Sequence, residues 1–98
     1  MTIQKILNGE RMTIFLSGRL DTTAASQLEA DLERDLDGVE ILIFDFENLE
    51  YLSSAGLRVL LSAQKTMDKQ GKMVICHMNE TIREIFEVTG FTEILTIE

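Results

Sequence analysis

The chain has no proline, one cysteine and one histidine in 98 residues, and it is poor in basic side chains. A single cysteine excludes an intramolecular disulfide and a thiolate metal cluster. Nine Lys and Arg stand against 17 Asp and Glu, which leaves a formal charge of −8. Nucleic acid is excluded as a partner on that ground, because phosphate contacts need clustered Lys and Arg and no cluster occurs. An anionic membrane surface is disfavoured for the same reason. No apolar run approaches the roughly 20 residues of a membrane span. The N-terminus also lacks the basic-then-apolar pattern of an export signal. The expectation is a cytoplasmic protein with no membrane insertion.

What is present describes one ordered domain over residues 1–98. With 45% apolar and 27% charged residues the chain can fold around a single modest core. Ile3 to Leu7 and Met12 to Leu16 flank Asn8-Gly9-Glu10-Arg11, and Asn-Gly suits a tight hairpin, so two antiparallel strands are expected. Gly18 is expected to end the second. Asp21-Thr22-Thr23 offers caps for a helix carrying Ala25, Leu28, Leu32 and Leu36 on one stripe, closed by Gly38. Val39 to Phe46 is a near-continuous apolar run, as in a strand covered on both faces, and it leads into an acidic turn at Glu47–Glu50. A second helix is expected over Ser54 to Gln70, ended by Gly71. Met73 to Cys76 is a short buried strand. Asn79 caps a third helix with Ile82, Ile85 and Phe86 on one face, stopped by Gly90, and Ile94 to Ile97 reads as a last strand. The order is ββαβαβαβ, an α/β fold with a mixed, mostly parallel sheet and helices packed against it, since each βα repeat needs a right-handed crossover.

The most informative stretch is Tyr51-Leu52-Ser53-Ser54-Ala55-Gly56-Leu57, where a strand gives way to a helix. Free backbone N–H groups at such a helix start favour negative charge. With Ser53 as N-cap, Leu52 and Leu57 form a hydrophobic staple; with Ser54 as cap, the partners would be Ser53 and Arg58, which cannot. Ser53 is therefore assigned to capping and Ser54 to the first helical position, its hydroxyl free. Gly56 costs helix propensity, about 1 kcal/mol against alanine, and fits a place where another group must approach closely. Capping alone would also account for both serines, since helix starts favour serine generally.

Leu52-Ser53-Ser54-Ala55-Gly56-Leu57, preceded by the Ile41-to-Asp45 strand, resembles the phosphorylation loop of STAS domains, the anti-sigma factor antagonists. Gly18-Arg19-Leu20-Asp21, followed by Thr22 to Leu28, is similar to that family's Gly-x-Leu/Ile-Asp turn, and Ile82 to Phe91 to its third helix. The resemblance implies that Ser54 is the serine phosphorylated, from ATP, by a partner anti-sigma factor kinase. It implies that Asp21 aids kinase binding or phosphorylation, and that Asp21, Ser53, Ser54, Ala55, Gly56 and Arg58 face the partner. It further implies that the bare form binds the anti-sigma factor and frees a sigma factor, and that a metal-dependent serine phosphatase reverses the mark. No cofactor and no enzymatic activity are implied. Ser53 stands where many members carry aspartate, and Ala55 where many carry serine or threonine; the second change leaves Ser54 without a rival hydroxyl. Arg58 by itself reads as a solvated position one turn into the helix.

Two other readings belong beside this one. Ser54, His77 and either Asp45 or Asp21 make a nominal Ser-His-Asp set, but the glycine-serine-glycine elbow and a second loop of oxyanion donors are missing. STAS-like domains also serve as docking subunits of transporters or stress-signalling complexes without phosphorylation. A single histidine argues against a metal site at His77. Cys76 in its apolar strand reads as a small core side chain. Met67, Met73 and Met78 read as packing residues, and Asp31, Glu33, Asp35, Glu47 and Glu50 as solvated faces.

Overall fold

In the computed structural model, which describes residues 1–98, the Asn8-Gly9 turn joins strand β1 (Thr2–Asn8) to β2 (Arg11–Leu20). The two strands pair antiparallel from Thr2↔Ser17 to Asn8↔Arg11. Helix α1 (Thr22–Asp35), strand β3 (Ile41–Leu52), helix α2 (Ser54–Gln70), strand β4 (Lys72–Cys76) and helix α3 (Glu80–Thr89) follow. The sheet runs β1-β2-β3-β4, with β2, β3 and β4 mutually parallel. Sequence neighbours are thus spatial neighbours, and each parallel step is made by one helix.

Alternation along the strands selects the face that receives the helices. Met12, Ile14 and Leu16 of β2, Leu42 and Phe44 of β3, and Met73 and Ile75 of β4 are all buried. They meet Leu28 and Leu32 of α1, Leu57, Leu60 and Met67 of α2, and Ile82 and Phe86 of α3 in one core cluster. Lys5, on the same face as Ile14 by register, reaches Asp31 and Asp35 of α1. Lys5 and Arg34 together hold the Asp35 carboxyl below the usual carboxylate range. At the far end, Phe44, Phe46, Phe86 and Phe91 form a chain of edge-to-face rings with centroids 6.2–6.4 Å apart, tying α3 to β3.

Four expectations are corrected. The apolar run in β3 is not covered on both faces: Ile41 and Ile43 are half-buried on the side without helices. That strand starts at Ile41 rather than Val39 and continues through the supposed Glu47–Glu50 turn to Leu52. Nor does β2 stop at Gly18: that residue takes φ +97 beside a register shift, and pairing resumes to Leu20. Glycine turns there without breaking the ladder because it lacks the Cβ that makes positive φ costly. Finally, Ile94 to Ile97 is no full strand. Phe91–Glu93 winds into a 3₁₀ turn, with Leu95 N–H donating to Phe91 O at 2.8 Å, which withdraws Ile94 and Leu95 from pairing. What remains is a single parallel bridge, Ile75↔Ile97.

The aromatic chain makes α3 a stability element. Phe86→Ala is expected to lower unfolding free energy by about 3–5 kcal/mol through lost burial and the cavity left behind. Val88→Ala, two residues on but 87% exposed, is expected to change it by less than about 0.5 kcal/mol. Urea unfolding followed by far-UV circular dichroism separates the two; comparable losses would contradict the packing described.

Candidate functional site: two helix starts at one edge of the sheet

At the end of β2, Leu20 lies opposite Leu52 at the end of β3. Ser53 N–H then donates to Leu20 O at 3.0 Å, so the chains leave the sheet side by side. Each turns at once into a helix through its own cap. Asp21 Oδ1 accepts from Ala24 N–H at 2.9 Å and opens α1; Ser53 Oγ accepts from Gly56 N–H at 3.1 Å and opens α2. Both caps have extended backbone, ψ −173 and 168, as N-caps require. The result is a shared edge with two aligned helix N-termini, a place with an intrinsic preference for anionic groups.

Ser54 is the first residue of α2 and is exposed, and its hydroxyl makes no hydrogen bond within the chain. The division of labour expected from the staple argument therefore holds: Ser53 caps, Ser54 is free. Leu52 and Leu57, the staple residues, are both in the core. Ala55 is half-buried and packs against the core, whereas Arg58 is exposed. Arg58 and Ala55 line a shallow groove between α1 and α2 with Thr22, Ser26 and Val59. Four residues separate Ser54 from Arg58, which puts them on one helix face.

Gly56 is explained by its surroundings. A Cβ there would sit 2.8 Å from Leu52 Cδ1 and 2.9 Å from Leu20 Cδ2. The residue that must approach closely is thus the leucine pair ending the two strands, and glycine lets α2 start directly over them. Sequence reasoning missed one member of this edge. Arg19 and Tyr51 are register partners one step before the leucines, and the Arg19 guanidinium lies over the Tyr51 ring at 4.2 Å. No signal in the sequence marks it, because it depends on β3 pairing with β2 as far as Tyr51.

The nominal Ser-His-Asp set is not assembled. His77 Nδ1 lies 3.0 Å from Asp45 Oδ2, at the pair Asp45↔Cys76. Ser54 lies beyond seven further residues of β3, at the pair where Leu52 meets Leu20. Asp21 spends its carboxylate on its own helix. The Ser54 hydroxyl thus has neither the His77 imidazole nor an orienting carboxylate beside it.

The STAS domain model matches residues 2–98. BtrV of Bordetella bronchiseptica, described as a candidate anti-sigma factor antagonist, is 40% identical over 84 residues, which are 84% of this chain and 72% of that protein. The anti-sigma-B factor antagonist of Listeria monocytogenes is 27% identical over 92 residues, 91% of this chain and 80% of that one. Among solved structures, the anti-sigma factor antagonist SpoIIAA superposes in its unphosphorylated form with a TM-score of 0.80 at 22% identity, covering 99% of this chain and 87% of that chain. The phosphorylated form of the Bacillus protein gives 0.79 at 23% identity, covering 99% and 91%. No helix is long and apolar enough to cross a membrane.

Ser53→Ala is expected to cost about 1 kcal/mol of stability and Ser53→Asp almost none, because aspartate caps equally well. Gly56→Ala is expected to cost about 1–3 kcal/mol, since Leu52 and Leu20 are too confined to move aside freely. Thermal unfolding of the three variants checks this; a stable Gly56→Ala protein would show that the leucine pair yields.

Proposed function

This chain belongs to the STAS domain family, and we propose that it is an anti-sigma factor antagonist switched by phosphorylation of Ser54. The observation that carries the reading is the state of Ser54: exposed, unbonded, and set at the first position of α2 beside the Asp21-capped start of α1. With the bare hydroxyl, the edge formed by Asp21, Ser53, Ser54, Ala55, Gly56 and Arg58 docks an anti-sigma factor, and a sigma factor is freed. That partner, a serine kinase, then transfers phosphate from ATP. Ser54 Oγ bonds to the γ-phosphorus, the bond to the bridging oxygen breaks, ADP departs, and the hydroxyl proton goes to a base on the kinase. A metal-dependent serine phosphatase restores the hydroxyl. The protein is a cytoplasmic regulator in this scheme and catalyses nothing itself.

The physical basis of the switch is local. Phosphate adds about −1.5 to −2 charges at pH 7. Within the molecule the mark is tolerated, because it sits on the positive end of α2 with Arg58 one turn away. Across an interface fitted to a neutral hydroxyl it brings bulk, a desolvation cost and repulsion from like charges. The fold need not change. The similar superposition on bare and phosphorylated SpoIIAA, both of the same overall fold, supports that.

Incubation with a cognate anti-sigma kinase and ATP is expected to add one phosphate, mapped to Ser54 by mass spectrometry and absent in Ser54→Ala. The modified protein is expected to bind that partner at least about tenfold more weakly, a loss of roughly 1.4 kcal/mol or more. Equal affinity of both forms would sink the switch, and a partner that binds stably yet leaves Ser54 unmodified in the presence of ATP would favour a static docking subunit.

A further inference from the structure

A second cluster of reactive side chains lies away from the serine edge. Asp45 is the charged residue the core retains, at 9% exposure. Its Oδ1 accepts from Glu47 N–H at 2.9 Å, which fixes the carboxylate, and its Oδ2 faces His77 Nδ1 at 3.0 Å. Its register partner is Cys76. His77 has φ +60, the one non-glycine residue with positive φ, and this bend at the end of β4 turns the imidazole back onto Asp45. A carboxylate oxygen, the Cys76 sulfur and a ring nitrogen of His77 consequently lie within 4.8 Å of one another.

We infer that Asp45, Cys76 and His77 form a binding site for one divalent cation of the zinc class. The donor set argues for that class, since one thiolate, one imidazole and one carboxylate suit zinc or cobalt and would be wasted on magnesium or calcium. Spacing agrees. Ligands held at 2.0–2.3 Å around a tetrahedral ion stand about 3.3–3.8 Å apart, so the observed cluster needs only side-chain rotation to close on one. The surroundings are acidic: the Asp45 carboxylate is part of the cluster, and Glu47 follows two residues later on the same strand. Those carboxylates would attract a dication, and the Cys76 thiol releases its proton to solvent when it ligates. Thiolate and carboxylate then neutralise the ion between them. A fourth position remains for water or an outside ligand, because His77 is exposed, its side chain by 61%. The single histidine that argued against a metal in the sequence is joined here by two donors from the neighbouring strand and residue.

Titration of the reduced 98-residue protein with cobalt(II), in a non-chelating reductant, tests the site. One equivalent is expected to bind, with a thiolate-to-cobalt charge-transfer band that zinc abolishes by competition. Cys76→Ser is expected to lose the band. His77→Ala, a change at an exposed position, is expected to weaken zinc binding at least about tenfold, with the far-UV spectrum unchanged. Ser54→Ala is expected to bind like the unaltered chain, so the outcome is independent of the phosphorylation reading. No band at one equivalent, or zinc affinity unchanged in both Cys76→Ser and His77→Ala, overturns the assignment.

Discussion

The parallel pairing of β2 with β3 is the constraint on which the serine edge depends. Ten residues of β2 run against twelve of β3, yet the strands start together at Arg11↔Ile41 and finish together at Leu20↔Leu52. The two extra residues are absorbed at two register shifts, between Phe15 and Ser17 and between Gly18 and Arg19. Without them Leu20 would face Glu50, and the two helix starts would be offset by two residues, about 7 Å along a strand. The bulges therefore bring the Asp21 cap level with the Ser53 cap. One shift alone would turn the following side chains to the wrong face; two restore the alternation and return Leu52 to the core.

The same bulges set the second cluster apart. Phe44, Asp45 and Phe46 are buried consecutively, just where the first register shift falls. The irregularity after Asp45 lets its carboxylate take the Glu47 amide while Phe46 joins the aromatic chain to α3. Asp45 stays on the side without helices, among half-buried residues, where a charged group keeps some contact with water. Stability and chemistry are thereby separated. The face of Met12, Ile14 and Leu16 holds the helices, the strand ends present Ser54, and the open face carries the charged group.

Much of this was legible in the sequence because each local signal had a single physical reading. Asn79 and Gly90 bound α3, and Asn8-Gly9 gave the hairpin, as their turn and cap chemistry requires. The Ser53 cap followed from asking which neighbour could staple to which. What failed was non-local. The Glu47–Glu50 segment is polar enough to look like a turn, yet β2 lends it hydrogen-bond partners that its own residues do not announce. The Ile94–Ile97 strand failed the opposite way: its apolar residues look like a strand, but the preceding 3₁₀ turn uses the chain needed to align it. The Asp45–Cys76–His77 cluster was invisible because it depends on strand register, which places residues 31 and 32 positions apart in contact.

In the switch proposed for Ser54, its position also decides how a partner could read it. The chain already carries −8, so a phosphate raises its total charge by only about a fifth to a quarter. Beyond roughly 8–10 Å such a difference is screened at physiological salt. Long-range attraction therefore cannot distinguish the two forms, and a partner drawn to this acidic surface meets both at similar rates. Discrimination has to arise after contact, where the hydroxyl or the phosphate must be stripped of water. That requirement favours a residue at the first helical turn over one on a loop. Its backbone is fixed by the Ser53 cap, so the added group cannot swing clear of the interface, and its charge is supported from behind by α2 rather than by rearrangement of the fold.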